Sequence, residues 1–194
     1  MYLIDETYFV GDLVIPQGGG IDVPSTDNNI KLWIDRYSRE LLRDALGNAL
    51  FDELDSQISN GELDAGADVK WGNLVNGCTY TYNDRQYNWR GLIFKDGDFK
   101  MSILAYYVYH HWHQAQVTRM SGVGEVRGNA VNSTNADSTY RTVRVWNTFV
   151  DLYQRRPIRH QSDVSLLYFI YHNGEDYPNA LLKTKQGYIN TMGL

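Results

Sequence analysis

A chain of 194 residues is long enough to bury one sizeable core, since domains commonly hold about 100 to 200 residues, and it reads as one domain with appendages. Its 43% hydrophobic and 21% charged content excludes a disordered polyelectrolyte, and no stretch approaches the ~18 consecutive apolar residues of a membrane span. Cys78 is the only cysteine, which excludes an intrachain disulfide and a cysteine-built zinc site within one copy and points to a reducing compartment.

The formal charge of −5 conceals an asymmetry. Residues 1–68 hold 14 acidic and 4 basic side chains, whereas residues 69–194 hold 9 acidic and 14 basic ones. Such a split suits head-to-tail contact between copies, with two solvated faces as the plain alternative. The 15 Tyr and 5 Trp serve either a core or an interface. Met1-Tyr-Leu-Ile-Asp-Glu6 lacks a basic segment followed by an apolar run, so an unexported protein is expected.

In chain order, residues 1–24 carry short apolar runs broken by Pro16, Gly18-Gly19-Gly20 and Pro24, and predict an N-terminal arm that need not pack on its own domain. A helical domain is expected over 25–157. After Ser25-Thr-Asp-Asn28, Ile30, Trp33, Ile34, Tyr37, Leu41, Leu42 and Ala45 recur at helical spacing. Gly47 stands where a left-handed C-cap residue would sit, and Leu50, Phe51, Leu54 and Ile58 mark a second helix ended by Asn60-Gly61. Trp71, Leu74 and Val75 add a helical turn stopped by Asn76-Gly77. Near 78–89 the period falls to 2: Cys78–Tyr82 and Gln86–Trp89 flank Asn83-Asp84-Arg85, predicting a hairpin with Tyr80, Tyr82, Tyr87 and Trp89 on one face. Two strands are marginal alone, so this hairpin should lean on a helix or a neighbouring subunit.

A third helix is expected from Asp98 to about Met120, ringed by apolar and aromatic groups and therefore central or sandwiched between subunits. The segment Gly122-Val-Gly-Glu-Val-Arg-Gly128 reads as a long loop reaching Asn135, and a fourth, amphipathic helix runs from about Asp137 to Gln154. Past Pro157, a C-terminal extension over 158–194 holds a short segment, Val164–Tyr171, of unresolved period that Ser162-Asp163 could cap. The fold class is thus mainly α: about four to five helices, a hairpin, an arm and an extended tail.

Candidate chemistry is thin. His110 and His113, at i and i+3 of a helix, could share a metal, but a catalytic zinc site needs a third protein ligand and the usual helical signature has His at i and i+4; partly buried histidines beside Trp112 are the favoured reading. The glycines of 122–128 resemble a dinucleotide fingerprint only loosely, because a helix precedes them and no βαβ unit follows. Gly122, Val123, Gly124, Glu125, Arg127 and Asn132 are instead candidates for a subunit-contact or channel-facing loop. Arg141, Arg144, Arg155 and Arg156 are candidate interface charges, which could also touch passing DNA phosphates. No catalytic residue, cofactor or metal site is assigned.

The run Lys70-Trp-Gly-Asn-Leu-Val-Asn-Gly77, then Trp89-Arg-Gly-Leu92, Ala105-Tyr-Tyr-Val-Tyr109, Gly122-Val-Gly124, Asn132-Ser133 and Val145-Trp-Asn147 resembles head-to-tail connector, or adaptor, proteins of tailed phages of Bacteroidota, including crAss-like phages. Trp33-Ile-Asp-Arg-Tyr37, Leu41–Phe51 and the closing Tyr188–Leu194 are similar to the same group. The resemblance implies a small helical adaptor domain repeated in a ring, expected to be twelvefold, in the virion neck. That ring would dock on the portal, meet tail or further neck-ring proteins, and continue the DNA channel. It would be assembled in the host cytoplasm without catalysis. Another neck, tail-completion or capsid-associated protein is the alternative within the same class, and a metal-dependent enzyme using His110 and His113 is the alternative outside it.

Overall fold

The computed structural model describes residues 3–15, 30–121, 124–127, 138–156 and 162–189. The chain is mainly α, with small two-stranded antiparallel hairpins placed between its helices. Helices α1 (Ile30–Leu46), α4 (Ile103–Val117) and α5 (Ser138–Gln154) form the body. Around them lie α2 (Asn48–Ser56), α3 (Val69–Asn76) and α6 (Leu166–His172).

Helix α4 sits between α1 and α5 within its own subunit, which decides between the two expectations for it. Every residue from Ile103 to His110 is buried, as the aromatic ring of side chains around this helix requires. Its polar atoms therefore need internal partners. The Tyr107 hydroxyl donates to Glu40 of α1 at 2.6 Å and accepts from Lys185 Nζ at 3.0 Å. The start of α4 is set by Ser102, whose buried Oγ accepts from the Leu104 backbone N–H at 3.1 Å and donates to the Leu92 carbonyl at 2.8 Å.

The helix begins later than expected, because β5 (Ile93–Asp96) and β6 (Phe99–Ser102) pair around Gly97, which has φ 60°. Gly97 and Asp98 form the turn of this hairpin, so Asp98 does not begin the helix. Ile58 likewise lies outside α2: β1 (Ile58–Ser59) and β2 (Glu62–Leu63) pair around Asn60 and Gly61, both at positive φ. The aromatic hairpin is as expected. β3 (Cys78–Tyr82) pairs with β4 (Arg85–Trp89), placing Tyr80 opposite Tyr87 and Cys78 opposite Trp89 across a turn in which Asn83 and Asp84 are left-handed. It leans on α6: Tyr80 packs edge-on against Phe169, Trp89 stacks on Phe169, and Tyr82 stacks on His172.

Two glycines join this hairpin to α3. Gly77 and Gly91 have φ of 87° and 98°, and a Cβ on either would fall 2.5 Å from backbone atoms of the facing segment. That approach lets the Leu74 carbonyl, at the end of α3, accept both the Leu92 N–H at 3.1 Å and the Trp89 indole N–H at 2.9 Å.

Neither appendage hangs free where it is described. In residues 3–15, Leu3, Ile4, Phe9 and Leu13 are in the core, and Lys100 of β6 holds Thr7 at 2.8 Å. The expectation of an arm indifferent to its own domain fails there because these four apolar side chains find burial at home; residues 16–24 lie outside the described residues. The C-terminal stretch is extended as expected, yet it is a strap across α1 and α5. Its Leu182 and Lys183 N–H groups cap the Ala45 and Asp44 carbonyls at the end of α1, at 2.9 and 2.8 Å. Asn147 exchanges two hydrogen bonds with the Ile189 backbone, both 2.9 Å, and the Trp146 indole donates to the Gly187 carbonyl at 3.0 Å. Lys185, 13% exposed, ion-pairs with Asp44, 15% exposed. Burial alone would raise the Asp44 pKa, but hydrogen bonds from Lys185 and Lys183 overcome it and hold the carboxyl below its usual value.

Two outcomes follow in urea denaturation. Gly77→Ala or Gly91→Ala should cost about 3 kcal/mol or more, because each forces a Cβ onto backbone at positive φ. Gly66→Ala, with open space around it, should be near neutral. Lys185→Met should cost about 2 kcal/mol by leaving the 15%-exposed Asp44 with only the exposed Lys183, and adding Asp44→Asn should recover part of that loss in a double-mutant cycle.

Candidate functional site

The segment singled out in the sequence is partly a β-ribbon. The backbone of β7 (Thr118–Ser121) continues directly from α4 and pairs with β8 (Gly124–Arg127), with Thr118 opposite Arg127 and Met120 opposite Glu125. Gly124, Glu125 and Arg127 are therefore strand positions rather than loop positions. The alternation was masked by the glycines, which read as loop punctuation. Gly122, Val123 and Asn132 lie outside the described residues. Among the described residues the ribbon pairs only with itself.

The four candidate arginines divide into two groups. Arg144 reaches Asp12 at 2.7 Å and so ties α5 to the N-terminal segment, while the Arg141 charge acts on Tyr109 of α4. Arg155 and Arg156 leave the far end of α5, about 16 Å along the axis from Arg144 at 1.5 Å per residue. There they border a cleft of ≈ 480 Å³.

Three walls make this cleft. The end of β4 and the start of β5 bring Arg90 and Phe94; α5 brings Leu152, Arg155 and Arg156; residues 162–165 bring Asp163 and Ser165. The third wall is fixed by backbone pairing, since Asn88 N–H donates to Ser162 O at 2.9 Å and Val164 N–H to Asn88 O at 3.1 Å. Asp163 does not cap α6, whose N-cap is Ser165 without a side-chain capping bond. It accepts instead from Asn88 Nδ2 at 3.0 Å and from Arg90 Nη2 at 2.7 Å. Those bonds, Asn88 foremost, hold its carboxyl below the usual range, so it stays ionised and is no acid at neutral pH.

Sequence reading missed Arg90, Asp163 and Ser165 as cleft residues. The only local signal was Trp89-Arg-Gly91, noticed for family likeness, and nothing local ties it to residue 163. Chemically the cleft offers three guanidinium groups over an apolar floor of Phe94 and Leu152, against two carboxylates. That is a surface for anions or acidic side chains.

The histidines face different partners. His110 packs on Trp146 with ring centres 4.5 Å apart, His111 stacks on Tyr37 at 4.3 Å, and His113 Nδ1 lies 3.1 Å from Thr142 Oγ1. They neighbour Trp146 and Tyr37 rather than Trp112 alone. No group of three or more His, Cys, Asp or Glu positioned to hold a metal occurs among the described residues. The half-buried Cys78 thiol is pushed up by burial, away from a reactive thiolate.

Burial lowers the pKa of all three histidines, His110 to about 4. An unfolded histidine titrates near ~6.5, so between that value and about 4 the unfolded chain binds more protons than the folded one. His110 stability is thus present above ~6.5 and lost as pH falls, by about 2 kcal/mol at about pH 5. Urea midpoints measured at neutral pH and about pH 5 should show this loss, and His110→Phe should flatten it.

No family model matches the chain, and neither a curated protein nor a solved structure matches it.

Proposed function

We propose that this chain is a non-enzymatic subunit of a head-to-tail connector ring in a tailed phage of Bacteroidota, crAss-like phages included. Twelve copies would dock on the portal in the virion neck, after assembly in the host cytoplasm, meet tail or further neck-ring proteins, and continue the DNA channel. No cofactor is needed for that role.

The observation that carries this reading is the ordered series of fragments, Lys70–Gly77, Trp89–Leu92, Ala105–Tyr109 and Val145–Asn147, that resembles such adaptors. These fragments meet one another or the tail. Gly77 closes on Trp89 and Arg90, and Trp146 and Asn147 hold Gly187 and Ile189. Their shared property is architecture, not chemistry, which suits an assembly subunit. In this reading the 121–135 segment, with Glu125, Arg127 and Asn132, forms a subunit contact or faces the channel, where arginines such as Arg141 can touch passing phosphates.

Another neck, tail-completion or capsid-associated role differs only in its neighbours. The metal-dependent alternative gains nothing from the geometry, because His110 and His113 pack on Trp146 and Thr142. Electron microscopy of purified virions should place this chain as a ring between portal and tail. Its absence from the neck would sink the proposal.

A further inference from the structure

We infer that the arginine-bordered cleft at the end of α5 receives the Asp64–Val69 turn of a second copy of this chain. The inference rests on the ring reading above, for which it names the two halves of one subunit contact.

The acidic excess of the first 68 residues is partly paired inside the subunit. Arg39 holds Asp35 and Asp55, Lys70 holds Glu53, Lys183 and Lys185 hold Asp44, and Arg144 holds Asp12. Asp5, Asp52, Glu62, Asp64 and Asp68 have no ion pair among the described residues. Two of these five, Asp64 and Asp68, lie on the link from β2 into α3, and Glu62 opens β2 just before it.

That link is held by backbone hydrogen bonds. Asp64 N–H donates to Gln57 O at 2.8 Å, Ala67 N–H to Asp64 O at 2.9 Å, and Trp71 N–H to Asp68 O at 2.9 Å. The Asp68 carboxylate makes no capping bond to its own helix and is left for other partners. Beside it Val69 is 78% exposed, more than any other exposed large apolar side chain among the described residues. Ala65, Gly66 and Ala67 between the two aspartates are small enough for close backbone approach. The turn therefore presents Ala65, Gly66, Asp68 and Val69 as exposed neighbours, an apolar side chain next to a carboxylate.

The cleft presents the complement. Phe94 and Leu152 form its apolar floor, and Arg156 is exposed with no ion pair among the described residues. The Arg90–Asp163 and Arg155–Asp151 pairs are 40–50% exposed, so solvent screens them and a second copy's carboxylates can compete for the guanidinium groups. Ser165, 3% exposed, stands in the same wall with a buried hydroxyl that has no hydrogen-bond partner. At ≈ 480 Å³ the cleft matches a few side chains. A pre-ordered turn loses little entropy on docking. Cleft and turn are different patches, so the contact is heterologous and propagates head to tail, as a closed ring requires.

The test uses the full chain and two readouts. In sedimentation velocity, Arg156→Glu or Asp68→Lys alone should weaken self-association about tenfold, while mixing the two variants, or combining them in one chain, should restore it. In a Cys78→Ser background, oxidation of Val69→Cys/Leu152→Cys should give a ladder of covalent oligomers, and either cysteine alone should stop at dimer. No ladder at the highest soluble concentration overturns the contact. So do assemblies indifferent to both charge reversals, although the ring reading would then stand on other surfaces. A ladder with charge rescue, from a chain absent from the virion neck, would keep the contact and remove the connector.

Discussion

Burying α4 on all sides is the constraint on which the rest of the subunit depends. A helix bearing Tyr106, Tyr107, Tyr109, Trp112 and three histidines cannot face water on one side, so both α1 and α5 cover it. Covering it removes water from its polar atoms; some are answered from a covering element, whereas His110 Nδ1, His111 Nε2 and Trp112 Nε1 are buried without a hydrogen-bond partner. Glu40 of α1 and Lys185 of the strap answer Tyr107, and Thr142 of α5 answers His113. The histidines accept burial by staying neutral. Their low pKa values follow from packing.

The same constraint explains why the C-terminal stretch has fixed geometry without secondary structure. Helices α1 and α5 lie on α4 and leave a seam between them. The strap closes that seam through side chains of the helices, Asn147, Tyr153, Gln154 and Trp146, bonding its backbone in place of a sheet partner. Lys185 then carries a charge into the seam, where Asp44 neutralises it. On the opposite flank, the clasp of Gly77 on Gly91 couples α3, the aromatic hairpin and α6 through the carbonyl of Leu74. Both devices bring distant parts of the chain to one helix end whose carbonyls need donors.

Charge has a different standing in the fold than in the sequence. Among the described residues, Asp12, Glu40, Asp44 and Glu53 of the acidic half pair with arginines and lysines of the basic half in the same copy, so part of the bulk asymmetry is an intramolecular complement. What remains is local: a few carboxylates on the link into α3 and a basic cleft at the end of α5. A weak global signal thus becomes a specific pairing once the internal partners are subtracted.

Sequence alone determined the helical body, because seven residues from Ile30 to Ala45 repeat at 3.6 and the residues of α4 leave no polar face. It also determined the aromatic hairpin, where period 2 and Asn83-Asp84 act together, and the positive φ at Gly47. Ribbons β5–β6 and β7–β8 escaped it for a physical reason: the first shows no alternation of burial, and in the second Thr118–Met120 reads as the end of the preceding helix while Gly122 and Gly124 look like loop. Only tertiary structure decided the packing of residues 3–15, the strap and the cleft. Each rests on contacts between groups far apart in the chain, such as Arg90 with Asp163 or Asn147 with Ile189, and no local period records which distant carbonyl or carboxylate a side chain will meet.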